Sequence, residues 1–374
     1  MINRLTSNLL FGLAAVSMFV APVFAEEAPA EAKTPEVKFS GEVEFDAYTG
    51  DVINEDIKSH SYASTFDLNV DVKFNEKWSA YVGIEADGET TDPGAIYNGA
   101  YIQYAPSEKF AIKFGDLTFS EGAFLNYYGY DDPADNAAGM AEHDIRGVEV
   151  DYKGLIVGLG YGRGDNDYQI CVGEGEEESC SNVAYDAHLA YELGLGEHTL
   201  RPFIDYKSYQ EAKHNELHTG LDANLKFGAV GLHAVYGLHA DYLGEDSPKP
   251  THAFLAEPSL AFGGVNVKGS VFYAHFDEDE PTVHGEEIPE YFFAYAEPSM
   301  SVLEVLALGV PLEYHTNTLD KNDDVSTFDV GVRAYFTPVA GIDVTGFAMV
   351  DIPVGDDAGD DTGLKLGLES VFSF

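Results

Sequence analysis

The chain has 374 residues, with 65 Asp or Glu against 20 Lys or Arg and a formal net charge of -45. That balance excludes nucleic-acid binding by the usual electrostatic route. Acidity this extreme often accompanies disorder, but 45% hydrophobic and 13% aromatic residues argue for a folded chain.

Met1 to Ala25 reads as an export signal: Arg4, an apolar run from Leu9 to Val20, and the small-residue end Val23-Phe24-Ala25. The run is too short for a membrane helix. Cleavage after Ala25 removes Arg4 and leaves 19 basic against 65 acidic residues, a charge of -46. Residues 26–36, rich in Ala, Glu and Pro, read as a disordered periplasmic leader, and 37–374 as the folded domain.

From Val37 the apolar period is two. Val37, Phe39, Val43 and Phe45 share one face, with Lys38, Ser40, Glu42 and Glu44 on the other. A polar loop from Thr49 to His60 leads to Ser64–Phe74, where Phe66, Leu68, Val70 and Val72 alternate with Asp67, Asn69, Asp71 and Lys73. After a turn at Asn75–Lys77 the apolar face resumes at Trp78, Ala80, Val82 and Ile84.

Short turns are expected at Asn75-Glu76, Pro106-Ser107, Lys153-Gly154, Gly194–Gly196, Phe227-Gly228, Gly263-Gly264, near Ser301 and at Pro338–Gly341. Long acidic connections alternate with them, the longest from Ser120 to Asp144. The order implies about eighteen antiparallel strands, or about sixteen if a hairpin within Tyr291–Tyr314 is a loop, with both termini on the short-turn side. The last stretch, Gly363–Phe374, sets Leu364, Leu366, Leu368, Phe372 and Phe374 against Lys365, Gly367, Glu369 and Ser373, and must pair to close a sheet. The expected fold is all-β, a transmembrane antiparallel barrel. The alternative is a soluble periplasmic sandwich or propeller.

Cys171 and Cys180 read as a disulfide clip on a loop, against the alternative of a reactive or metal-binding pair. A two-residue turn at Phe227-Gly228 would set Asp222 opposite His233 on the wet face, with His218 and His239 above. Such a set suits a transition metal or a pH-sensitive patch, and equally a merely polar wall, which is preferred here. Acidic runs such as Asp277–Glu280 offer loose sites for divalent cations, with no resident metal or cofactor expected. No G-x-S-x-G elbow or metal-spaced His pair marks an enzyme.

Export signal, leader, hairpin order, terminal Phe and a longest third loop together resemble the bacterial outer-membrane porins of sixteen to eighteen strands, over Val37 to Phe374. The resemblance implies a third loop folded inward to narrow the lumen. Its acids here are Glu121, Asp131, Asp132, Asp135, Glu142 and Asp144, and its aromatics Phe124, Tyr127, Tyr128 and Tyr130, as a solute track or as loop packing. The opposing basic wall is expected from Lys113, Arg146 and Arg333. Phe372 and Phe374 would be the assembly signal read by the barrel-assembly machinery. Outer-membrane lipid, lipopolysaccharide and a homotrimer are the implied surroundings, with small hydrophilic solutes or sugars as cargo. The excess of carboxylates implies passive, cation-preferring diffusion. The alternatives are a sugar-selective channel, or an adhesin or structural protein that binds polysaccharide through acidic loops.

Overall fold

A computed structural model describes residues 34–49, 60–87, 97–125, 140, 142–162, 169–172, 179–209, 215–241, 250–275, 290–317, 325–355 and 362–374. The export signal and the leader up to residue 33 lie outside the described residues. Val37–Phe374 form one compact unit, a closed antiparallel barrel of eighteen strands.

The first strands are β1 (Glu36–Thr49), β2 (His60–Lys73), β3 (Trp78–Asp87), β4 (Tyr97–Ser107), β5 (Phe110–Phe119) and β6 (His143–Tyr152). Next come β7 (Leu155–Gly162), β8 (Ser179–Tyr191), β9 (His198–Tyr209), β10 (Asn215–Phe227), β11 (Val230–Asp241) and β12 (Pro250–Phe262). The ring ends with β13 (Val265–His275), β14 (Glu290–Leu303), β15 (Leu306–Gly309 with Leu312–Asn317), β16 (Val325–Val339), β17 (Ile342–Val354) and β18 (Gly363–Ser373). Leu193–Leu195 prolongs β8 toward its turn, and a short strand, Gln169–Val172, pairs with the far end of β8.

Closure is made by the last strand on the first. Val43 faces Phe372 and Thr49 faces Leu366. Gly41 and Phe374 exchange backbone bonds of 3.1 and 3.0 Å, and the rings of Phe45 and Phe372 meet edge to face at 6.2 Å. Each of the eighteen barrel strands thereby gains two neighbours and the ring has no edge, as a chain surrounded by hydrocarbon requires.

The faces divide as the alternation implies, and their sense excludes a soluble sandwich. Phe39, Phe45, Phe114, Leu189, Phe254, Val332, Leu368 and Phe374 are exposed, whereas Glu149, Asp186, Asp205, Asp222 and Glu297 are buried. A water-soluble protein buries its apolar face; this one presents that face outward around the ring.

The expected hairpin within Tyr291–Tyr314 is present, and the count is eighteen. Its second strand, β15, is interrupted at Val310–Pro311 because Pro311 has no N–H for the ladder. Gly331 N bonds to Pro311 O at 3.1 Å and holds the break in line. Several reversals also sit one to three residues beyond their expected places. Pro106 interrupts pairing between Tyr104 and Ser107, so the reversal falls at Glu108-Lys109 rather than Pro106-Ser107. The turn expected near Ser301 falls at Glu304-Val305, and that at Gly194–Gly196 falls at Gly196-Glu197. Gly228, with φ 65, is the first loop residue of the β10–β11 hairpin, not the second. A left-handed first loop position is what a two-residue II′ turn demands.

Candidate functional site

Beyond Phe119 the chain turns into the lumen. Glu121 is 9% exposed, and its carboxylate lies 3.3 Å from Nε2 of His188 on β8. The next two anchors are backbone amides. Gly122 N donates to Asp222 Oδ2 at 3.3 Å, and Leu125 N donates to Glu257 Oε2 at 2.9 Å. Phe124 packs on Phe272 with ring centroids 5.3 Å apart, and Met140 is buried in the same cluster as Phe203, Val235 and Leu255. These wall residues are apolar but point inward. They form a hydrophobic seat for the loop within an otherwise polar lumen.

Behind the seat lies a histidine and carboxylate network. His188 is 2% exposed, stacks on Phe119 at 4.1 Å, and places Nδ1 2.5 Å from Asp205 Oδ1. Asp205 Oδ2 also takes His218 Nδ1 at 3.4 Å, and Asp186 holds His143 Nε2 at 2.7 Å. One layer away, His233 bridges Glu257 at 2.6 Å and Asp222 at 3.3 Å. The two carboxylates that grip the loop amides are thus held by one histidine. Burial alone would push the Glu121 carboxyl up, but the adjoining His188 imidazole outweighs it and holds that carboxyl below the usual range.

The register corrects one expectation. Asn224, not Asp222, is opposite His233, and Asp222 faces Val235. Moving the turn by one residue shifts the pairing by two, so Asp222 reaches His233 diagonally instead. His218 and His239 are themselves opposite, with ring centroids 6.3 Å apart.

The three expected wall bases each close on a carboxylate, but only Lys113 and Arg333 face the lumen; Arg146, between the inward-facing Ile145 and Gly147, is exposed on the outer face of β6. Lys113 Nζ lies 2.9 Å from Glu149, and Arg146 Nε donates to Asp116 at 2.7 Å. Arg333 Nη1 donates to Glu297 at 3.3 Å beside Lys268 at 3.5 Å, and Glu297 also accepts the hydroxyls of Tyr295 and Tyr335. The loop acid Glu121 is matched instead by a histidine. At the loop base, Glu142 is exposed and Asp144 accepts Thr118 Oγ1 at 2.6 Å. Asp131, Asp132, Asp135, Tyr127, Tyr128 and Tyr130 lie outside the described residues.

A closed ring of eighteen strands, apolar outside and carboxylate-lined inside, with a loop docked in its lumen, decides the architecture. The chain folds as an outer-membrane porin barrel. No protein-family model matches it and no curated protein matches its sequence. Solved structures do. OpdO of Pseudomonas aeruginosa superposes with a TM-score of 0.55 at 13% identity, covering 91% of this chain and 97% of that one. OpdK of the same organism, in a structure with vanillate, gives 0.54 at 12% identity over 91% and 98%. OmpT, an outer-membrane protein of Vibrio cholerae, gives 0.53 at 12% identity over 93% and 100%. At such identities the likeness carries the fold and nothing about the solute.

Within this barrel, sequence reading missed Glu257 and Glu297, two buried carboxylates that each take more than one partner. A signal was available. Ala256-Glu257-Pro258-Ser259 and Ala296-Glu297-Pro298-Ser299 repeat four residues, and in both the Glu points inward, fully buried, just before a Pro. The repeat marks one wall position used twice, once to hold the loop and once to hold Arg333.

Proposed function

We propose that this protein is a porin of the bacterial outer membrane, giving passive, cation-preferring passage to small hydrophilic solutes. One observation carries the reading. Among the described residues, the buried Asp, Glu, His, Lys and Arg side chains are all carboxylates apart from His188 and His233, and all of them but Asp116 lie on the lumen side or the inward loop. The lumen-facing Lys113, Lys268 and Arg333 each stand beside such a group. A water-filled path lined in this way concentrates cations and repels anions within a Debye length, about 8 Å at physiological ionic strength. The vanillate seen with OpdK is an anion, so this lining argues against a solute of that charge here.

The reading includes three further assignments. Phe372 and Phe374 act as the assembly signal, supported by their outward, exposed positions at the closing seam. Cys171 and Cys180 form a disulfide, supported by a backbone register that sets them opposite each other. The inward loop that starts at Glu121 narrows the path, supported by its anchors on His188, Asp222 and Glu257.

The deciding experiment is single-channel recording of the refolded mature chain in a planar bilayer across a potassium chloride gradient. Large steady conductance with a reversal potential on the cation side is expected. A correctly folded barrel that does not conduct, or that reverses on the anion side, overturns the reading.

A further inference from the structure

Near the barrel end that carries the long connections, three lumen carboxylates stand in one row across adjacent strands. Glu313 on β15 is opposite Asp329 on β16, and Asp329 is opposite Asp351 on β17. Residues opposite each other in an antiparallel ladder share a face, with Cβ atoms about 5 Å apart. Three like charges at that spacing in a wall are unstable without matching cations. Lys365 supplies one, 2.9 Å from Asp351 Oδ2. His315, two residues from Glu313 on the same face, places Nδ1 3.4 Å from Glu313 Oε1.

The central group of the row is Asp329, only 2% exposed, and its Oδ1 is buried without a hydrogen-bond partner in the protein. Asp351 Oδ1 is in the same condition. An isolated buried carboxylate oxygen is costly, and ordinarily a donor or a metal relieves it. Donor atoms of Glu313, His315 and Asp329 all lie within 4.8 Å of one another. A first-row divalent ion binds N and O donors at about 2.0–2.2 Å, so its ligands stand up to about 4 Å apart. Small side-chain rotations close the difference. The β14 neighbours across from His315 and Glu313 are Phe293 and Tyr295, both buried, which back the cluster with aromatic surface.

We propose that Glu313, His315 and Asp329 form a divalent transition-metal site on the lumen wall, with Asp351 and Lys365 as its charged surround. One imidazole and two carboxylates suit zinc, nickel or cobalt, whereas calcium and magnesium favour all-oxygen sets with more ligands. The remaining coordination positions face the lumen, where water or a passing solute completes them. This is a different place from His218 and His239, where sequence alone located the metal question. Neither of those belongs to the proposed donor set.

Zinc binding to the full-length folded protein in detergent, after chelator treatment, tests the site by calorimetry. Binding is read without a bilayer, so it stands or falls separately from conduction. One equivalent is expected, with affinity reduced more than about tenfold in both His315→Gln and Asp329→Asn. The same two variants should lose the cobalt absorption that a mixed nitrogen and oxygen set gives. Heat-modified migration on gels confirms folding of each variant, and either one alone suffices if the other does not fold. Zinc affinity unchanged in the folded variants, or abolished by His218→Gln alone, overturns the proposal.

Discussion

Glu121 of the inward loop and His188 of the wall meet at 3.3 Å, and the imidazole's other nitrogen is fixed by Asp205 at 2.5 Å. The loop is thus fastened to a ring already oriented by the next strand. A single wall histidine serves two carboxylates, and the contact lies beside an aromatic stack with Phe119 that excludes water. Seating therefore depends on charge as well as on the apolar contacts of Phe124 and Met140.

The charge contact makes loop seating pH-dependent. His188 holds the Glu121 carboxyl below its ordinary value of 4.5. A carboxylate whose folded value is depressed contributes stability above its unfolded value, and that stability is lost as pH falls through the folded value. Seating should be constant from pH 7 down to about 4.5 and weaken below it. Channel noise and protease access to the loop, followed between pH 7 and pH 3, should both rise in the acid range. Glu121→Gln should raise both at pH 7 and flatten that part of the dependence on pH.

Arg333 and Glu297 provide a second test. Glu297 is 0% exposed, so removing Arg333 leaves a buried charge held by Lys268 and two tyrosine hydroxyls. Arg333→Met should lower barrel stability by about 3 kcal/mol, in the range for breaking a buried pair from one side. Adding Glu297→Gln should recover most of the loss. The midpoint of heat-modified migration measures both. A double variant no more stable than Arg333→Met would mean that the charge pair is not what Arg333 supplies.

Much of the fold was legible because the environment inverts the usual pattern. Leu366 and Leu368 face outward while Lys365, Gly367 and Glu369 alternate with them, so a period of two is written into each strand. Where the chain departs from that period, reading becomes harder. Pro311 breaks β15, and Phe203, Val235 and Phe272 are apolar on the inner face because the loop sits on them. The partners of the lumen charges were not legible. A one-residue shift of the turn at Gly228 moves every pairing between β10 and β11 by two, which is why Asp222 faces Val235. Alternation puts Lys113 and Arg333 on the inner face, but only the register shows that Glu149 and Glu297 reach them, and that Arg146 pairs with Asp116 on the outer face instead.

Cation preference should respond to charges that remain in contact with water. Asp46 on β1 and Glu369 on β18 face each other across the closing seam, and Tyr48 donates to Glu369 at 3.4 Å. Like charges directly opposite are unfavourable by about 0.2–1 kcal/mol. Asp46→Asn with Glu369→Gln should therefore leave the barrel as stable or slightly more so. It should also move the reversal potential in a salt gradient toward zero. An unchanged reversal potential would place the selectivity elsewhere, in the loop acids.

The sharpest steric test is Gly122. It takes φ +88, and a Cβ built there would run into the end of the Phe203 ring. Left-handed backbone costs a non-glycine residue about 1–2 kcal/mol by itself, and the collision adds to it because Phe203 is wedged in the apolar seat. Gly122→Val should withdraw the loop from the wall and take with it the Gly122 amide bond to Asp222. The expected readouts are larger, noisier single-channel conductance and faster cleavage of the loop, with the barrel's heat stability little changed. Adding Phe203→Ala removes the collision but not the backbone strain, so it should restore quiet conductance only in part. Complete rescue would assign the whole effect to the ring, and no rescue would assign it to φ.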